Sequence, residues 1–228
     1  MDAAADVVID VPTAAGPGRF TVAAATQPRA LLWLGHGAGG GIGAVDLAAL
    51  AAALPAVGIT VARYEQPWRV AGKRVASRPP ALDAAWMEAA PVVAELAEGL
   101  PVVVGGRSAG ARVACRTATA TGAAAVICLA FPLHPPGRPE VTRLDELLTP
   151  SVPVLVLQGD RDTFGGADLL RADVEAAPGD HANVRIVTVS GADHGMKTLK
   201  ASPLTARDVR ELVVSTTAAF VDDVLARP

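Results

Sequence analysis

The chain has 228 residues, 51% of them hydrophobic, and a net charge of −3 from 20 basic and 23 acidic side chains. Charge is balanced and aromatic residues are only 4%, so the basic footprint and stacking platforms of a nucleic-acid binder are both missing. Disordered, collagen-like and small disulfide-scaffold classes are excluded by the same composition, and no apolar run reaches the roughly 18 residues of a membrane-span candidate.

About a fifth of the residues are alanine (47 of 228), which packs helices closely but adds little apolar area. Chains of this length still bury roughly 70% of their unfolded surface, so one domain over residues 1–228 needs no staple. Cys115 and Cys128 lie in apolar runs and read as small buried hydrophobes without a required disulfide. The opening segment MDAAADVVID carries acids where a secretory leader needs a basic region, so a soluble cytoplasmic protein is expected.

In chain order, residues 6–11 and 19–25 are short β-type runs around TAAGPG and predict an antiparallel hairpin. ALLWLG (30–35) predicts a buried strand ending in a glycine cluster. Residues 44–58 predict a helix, ITVARY (59–64) a strand, and 80–99 a helix kinked at Pro91. PVVVGG (101–106) is a continuous apolar strand, followed by a helix over 109–122 closed by Gly122. Residues 124–131, 153–159 and 184–191 predict three more strands, with helices over 165–177 and 205–225. The stretches 65–80 and 131–140, rich in Pro, Gly and Arg, read as loops. Uninterrupted apolar strands alternating with helices mean α/β class: an open, mostly parallel sheet with helices on both faces. In such sheets chemistry collects at the carboxyl ends of the strands.

At one such end stands Gly106-Arg107-Ser108-Ala109-Gly110, between a strand and a helix. This is G-x-S-x-G in the strand–turn–helix setting that presents a serine hydroxyl on a strained turn. The flanking glycines answer the crowding of strand against helix, and the helix N-terminus offers free N–H groups to a developing oxyanion. A serine needs a base, and on this topology the chain order is serine, acid, histidine. Of the four histidines, His36 precedes the serine, His134 precedes any candidate acid strand, and His181 lies in a polar turn before a strand. His194, just past a strand's carboxyl end, is selected by elimination.

Asp160 and Asp162 compete for the acid after 153–159. An acid must stand clear of the strand to reach the histidine, which favours Asp162 and leaves Asp160 to brace its own turn. Asp193 adjoins His194, and neighbouring side chains diverge. The glycine loop after 30–35 should supply the second oxyanion donor, the amide of Ala38 to within one residue, alongside that of Ala109. His36, Gly37, Gly39, Arg107 and His134 are candidate substrate-binding residues, with His36 also suited to holding the loop. No Lys-Ser/Thr follows the glycines as a phosphate loop requires, and no cysteine pair or histidine cluster has metal-ligand spacing. No cofactor or metal is therefore expected.

Residues 63–78 hold Arg63, Arg69, Lys73, Arg74 and Arg78 against Glu65 alone; this is either a solvated loop or an attractor for anions. The roughly 20 residues of 131–152 are too few for a lid domain.

These residues resemble the α/β-hydrolase superfamily across nearly the whole chain. WLGHGAGGG, PWRVAGKRVASRPP, GGRSAGARVA, FPLHPPGRPE, VLQGDRDTFG and GADHGM are together similar to a lidless group. That group includes dienelactone-hydrolase-like bacterial proteins, testis-expressed hydrolase-like proteins and subunit 3 of the NSL acetyltransferase complex. The resemblance implies hydrolase chemistry with Ser108 as nucleophile, Asp162 as acid and His194 as base. GADHGMKTLK departs from it, since an aromatic or a Ser-Phe pair commonly follows the histidine. The expected function is a serine hydrolase acting on small carboxylic esters or thioesters; the alternative is a binding or scaffold module that keeps the fold.

Overall fold

The computed structural model describes residues 6–227, so the extreme ends of the one-domain reading and the first half of MDAAADVVID lie outside the described residues. The expected hairpin forms: β1 (Val7–Val11) pairs antiparallel with β2 (Gly18–Ala23). Its turn places Gly16 at φ 105°, where a side chain would be strained, and the Thr13 hydroxyl donates to the Gly16 carbonyl at 2.6 Å.

Six strands follow: β3 (Ala30–Gly35), β4 (Ile59–Glu65), β5 (Val102–Arg107), β6 (Ala125–Leu129), β7 (Val154–Gly159) and β8 (Val184–Val189). The sheet order is β1-β2-β4-β3-β5-β6-β7-β8, with β3 to β8 parallel and β2 antiparallel to β4. β3, β6 and β7 are buried at every residue, which is why they read as unbroken apolar runs. From β3 the chain steps to β4 on one side, then crosses back to β5 on the other. That reversal opens a crevice at the carboxyl ends of β3 and β5.

Helices α1 (Val45–Ala53) and α7 (Ala206–Leu225) cover one face, through Leu47, Leu50, Val213 and Phe220. A capping box between Thr205 and Asp208 starts α7. Helices α3 (Pro79–Ala97), α4 (Ala109–Thr117) and α6 (Ala167–Ala176) cover the other face. There the scarce aromatics gather: Trp33 and Trp86 stack with ring centroids 3.8 Å apart, and Phe20 and Tyr64 pack around them. Concentrating the large side chains in one cluster gives an alanine-rich chain a dense core.

Several boundaries differ from those expected. The helix expected over 44–58 turns 3₁₀ at Leu54–Val57, where Pro55 removes a donor, and closes on Gly58 at φ 80°. α3 runs unbroken past Pro91; the missing N–H costs only the bond to the Met87 carbonyl. The helix expected to end at Gly122 stops at Thr117, and turns carry the chain to Gly122. Threonine hydroxyls compete there for the last carbonyls, Thr117 for that of Val113 and Thr121 for those of Thr117 and Ala118. The stretch 65–80 is not all loop: α2 (Pro67–Val70) forms in it, and Gln66, Pro67 and Trp68 are buried. A further short helix, α5 (Leu144–Leu148), lies within 131–152. Cys115 and Cys128 are free, buried thiols with sulfurs 3.4 Å apart.

Candidate active site

Ser108 stands between β5 and α4 at φ 52°, ψ −110°, a left-handed conformation that costs a non-glycine residue about 1–3 kcal/mol. Its N–H is tied to the Leu129 carbonyl of β6 at 3.0 Å, which helps hold the strain. A Cβ on Gly106 would lie 2.5 Å from the Gly35 carbonyl oxygen, and one on Gly110 would collide with the Gly35 backbone. The glycines are thus demanded mainly by the neighbouring strand β3, and only in part by the approach of β5 to its own helix.

Three strand ends meet at the serine. His194 Nε2 lies 2.9 Å from Ser108 Oγ, and His194 Nδ1 lies 2.8 Å from Asp162 Oδ2. A carboxylate only accepts, so Nδ1 carries the hydrogen, and Nε2 is left to accept from the serine hydroxyl. Asp162 is buried; its Oδ1 accepts the Phe164 N–H at 2.8 Å and its Oδ2 also accepts the Gln158 amide at 3.1 Å. Gln158, fully buried on β7, further donates towards the Phe131 and Gly165 carbonyls. The Phe164 ring meets the His194 imidazole edge-on, with centroids 4.3 Å apart.

Asp160 is turned away from the imidazole. It does not brace its own turn as expected: it accepts the Gly191 N–H at 2.8 Å and so fastens the loop that carries His194. Asp193 caps that loop from within, its Oδ1 accepting the N–H groups of Gly195 and Lys197.

A cavity of about 490 Å³ opens over Ser108. Gly37, Ala38, Gly39, Arg107 and Ala109 line it, as do Pro132, Pro136 and Phe164. The N–H groups of Ala38 and Ala109 have no acceptor among the described residues. His36 does not line this cavity. It is buried, its Nδ1–H donates to the Gly37 carbonyl at 2.8 Å, and its Nε2 accepts the Gln66 N–H at 3.1 Å. Burial holds its pKa below the ordinary imidazole value, so it stays neutral and pins the glycine loop to the end of β4. His134 also lies off the cavity wall, with Nδ1 on the Val141 carbonyl at 2.9 Å. Neither histidine stands on the cavity wall, contrary to the substrate-binding expectation: both ring nitrogens of His36 and the Nδ1 of His134 are spent on backbone.

Arg107 does line the cavity, but its guanidinium is engaged. It pairs with the buried Asp46 of α1 at 2.6 Å and donates to the His194 carbonyl. Asp46, Gln158, Phe164, Arg112 and Arg143 were not singled out in the sequence. A buried Asp at the start of an apolar helix was the one available signal; the others are brought in by distant chain segments. In the basic segment, Arg63 pairs with Asp6 at 2.7 Å, and Arg69, Lys73, Arg74 and Arg78 are exposed and off the cavity wall.

A parallel sheet with a serine on a left-handed turn at its switch point, facing a histidine from the far strand end, is α/β-hydrolase architecture. The chain belongs to the family of the α/β hydrolase domain, whose sequence profile matches residues 28–222. A lidless α/β serine hydrolase from Xanthomonas campestris shares 19% identity over 96% of this chain and 97% of its own, with a TM-score of 0.71. An α/β serine hydrolase homologue from Coxiella burnetii gives 19% identity, coverage of 95% and 98%, and a TM-score of 0.72. The esterase domain of a Rhodothermus marinus protein gives 15% identity, coverage of 97% and 100%, and a TM-score of 0.69. No curated protein matches the chain. Among the described residues, no helix is long and apolar enough to cross a membrane.

Proposed function

We propose that this protein is a single-domain serine hydrolase that cleaves small carboxylic esters or thioesters. The observation carrying this reading is the hydrogen-bonded line from Ser108 Oγ through His194 to buried Asp162 at the mouth of the cavity. His194 Nε2 takes the hydroxyl proton as Ser108 Oγ attacks the carbonyl carbon. Asp162 holds the imidazole in the required tautomer and offsets its positive charge. The N–H groups of Ala38, in the glycine loop, and of Ala109, at the start of α4, donate to the tetrahedral oxyanion. Collapse of the intermediate expels the alcohol or thiol, which His194 protonates. Water, deprotonated by His194, then releases the acid and restores the serine.

The scaffold alternative has no use for a strained serine, a buried acid and a histidine held between them. The shortness of 131–152 favours small, freely diffusing substrates over a lipid surface, and the motif likeness favours the lidless dienelactone-hydrolase-like and testis-expressed group. Labelling by a fluorophosphonate probe, lost in Ser108→Ala, together with turnover of p-nitrophenyl acetate and butyrate, tests the reading. A folded wild type that neither labels nor turns over these esters would sink it.

A further inference from the structure

The cavity wall above Ser108 carries three arginines, Arg107, Arg112 and Arg143, and no carboxylate. Two are neutralised from behind: Arg107 by Asp46, and Arg112 by both oxygens of Glu146 at 2.6 and 2.7 Å. Arg143 is not. Glu146, whose charge reaches Arg143 without pairing with it, is already shared between Arg112 and Arg116, and Arg116 also takes Asp83. Arg143 Nη1 rests on the Pro132 and His134 carbonyls at 3.2 and 3.4 Å, while Nε and Nη2 have no partner among the described residues. Burial and the neighbouring guanidiniums of Arg112, Arg116 and Arg138 hold its pKa below the ordinary arginine value, yet an arginine stays charged. The result is a half-buried cation fixed by backbone, with one edge of its planar fork open, in a cavity walled besides by the two paired arginines, by Ser108 and His194, and by glycine, alanine, proline and Phe164.

We infer that the substrate is an ester bearing an ionised carboxylate, which Arg143 receives. The inference rests on the serine-hydrolase reading and narrows its substrate class. One uncompensated positive charge calls for one negative charge, and an open guanidinium edge matches a planar carboxylate in two parallel hydrogen bonds. A phosphate would bring nearly two charges to a wall where the other two guanidiniums are already taken. The carboxylate belongs either to the acyl part or to the alcohol part of the ester.

Paired substrates separate these cases. Monoethyl glutarate against ethyl pentanoate probes the acyl side; 4-acetoxybenzoate against phenyl acetate probes the alcohol side, with 4-acetoxyphenyl phosphate as the dianionic control. In one arm kcat/KM should favour the carboxylate member by about 10- to 100-fold, the usual range for a hydrogen-bonded ion pair. Arg143→Gln should erase that preference, lowering kcat/KM for the carboxylate member far more than for its neutral partner, and Arg143→Lys should keep only part of it. In wild type the preference should shrink in 1 M salt, where screening acts over about 3 Å; this reading stands even if a variant fails to fold. No preference in either arm, a preference that survives Arg143→Gln or ignores salt, or a better phosphate ester would overturn the inference. If no ester is turned over, the hydrolase reading fails by itself. Calorimetric titration of Ser108→Ala with the same pairs then decides: tighter carboxylate binding that Arg143→Gln abolishes upholds the anion site, and equal binding removes it.

Discussion

The floor and the wall of the cavity handle charge differently. On the floor, Asp162 has its partners in His194, Gln158 and the Phe164 amide, and each member of the line is set by another. On the wall, Arg107 and Arg112 are answered by carboxylates outside the cavity, while Arg143 leans on carbonyls and keeps an open edge. A self-contained set of partners suits groups that must already be aligned when substrate arrives. An unanswered charge suits a group whose partner arrives with the substrate. Burial makes the contrast matter, because an unpaired polar group out of water costs far more than one at the surface.

Breaking the floor should have the largest effect. Ser108→Ala should lower ester turnover by a factor on the order of 10³ or more, His194→Ala by a similar factor, and Asp162→Ala by somewhat less. Because the groups act together, the Ser108→Ala/His194→Ala double variant should be hardly worse than either single one. Initial rates with p-nitrophenyl butyrate, with circular dichroism as folding control, read this out. Ser108→Ala should fold with little change in stability, since alanine keeps the same backbone turn and gives up only the hydrogen bond to His194 Nε2.

The tie between wall and floor comes next. Asp46→Ala strands the Arg107 guanidinium, whose side chain is 12% exposed, and should cost about 3–5 kcal/mol in urea-unfolding experiments. Turnover should fall with it, because Arg107 also holds the His194 carbonyl. Asp46→Ala/Arg107→Met should recover much of the stability and none of the activity. Recovery of both would mean that Arg107 serves packing alone.

Gln158→Met should be milder. It removes one donor to Asp162 and leaves the buried Gly165 carbonyl unpaired, while that of Phe131 keeps the Leu133 N–H, at about 1–3 kcal/mol. Turnover should drop by about tenfold if the amide steadies the acid and stay level if it only fills the core; thermal melts and kcat distinguish the two.

The smallest effect concerns His36. Its folded pKa lies below the ordinary 6.5, so the unfolded chain binds the extra proton first. Its contribution to stability is therefore complete above pH 6.5 and is lost as pH falls below it. Melts between pH 7.5 and 5.5 should show this loss in wild type and a shallower one in His36→Asn.

Much of this was legible in the chain itself. The unbroken apolar runs of β3, β6 and β7 read as strands buried on both faces, which points to the α/β class before any contact is known. GRSAG after such a run marks a strained serine turn by its pattern, although the backbone that its two glycines make room for is that of Gly35 on the neighbouring strand. With only four histidines, chain order, together with the place of His181 in a turn before its strand, leads to His194. Element ends were less legible: Thr117 rather than Gly122 closes α4 because side-chain hydroxyls compete for its carbonyls, and no apolar pattern records that.

What tertiary structure alone decided is the charge map of the cavity. Arg107 lies 61 residues from Asp46, Arg112 lies 34 from Glu146, and Gln158 reaches back 27 to the Phe131 carbonyl. The same placement keeps His36 and His134 off the cavity wall and puts Arg143 on it. An arginine in the sequence is only a positive charge. Whether that charge is answered depends on which carboxylates folding carries within about 4 Å, and Coulomb attraction has no counterpart in residue order.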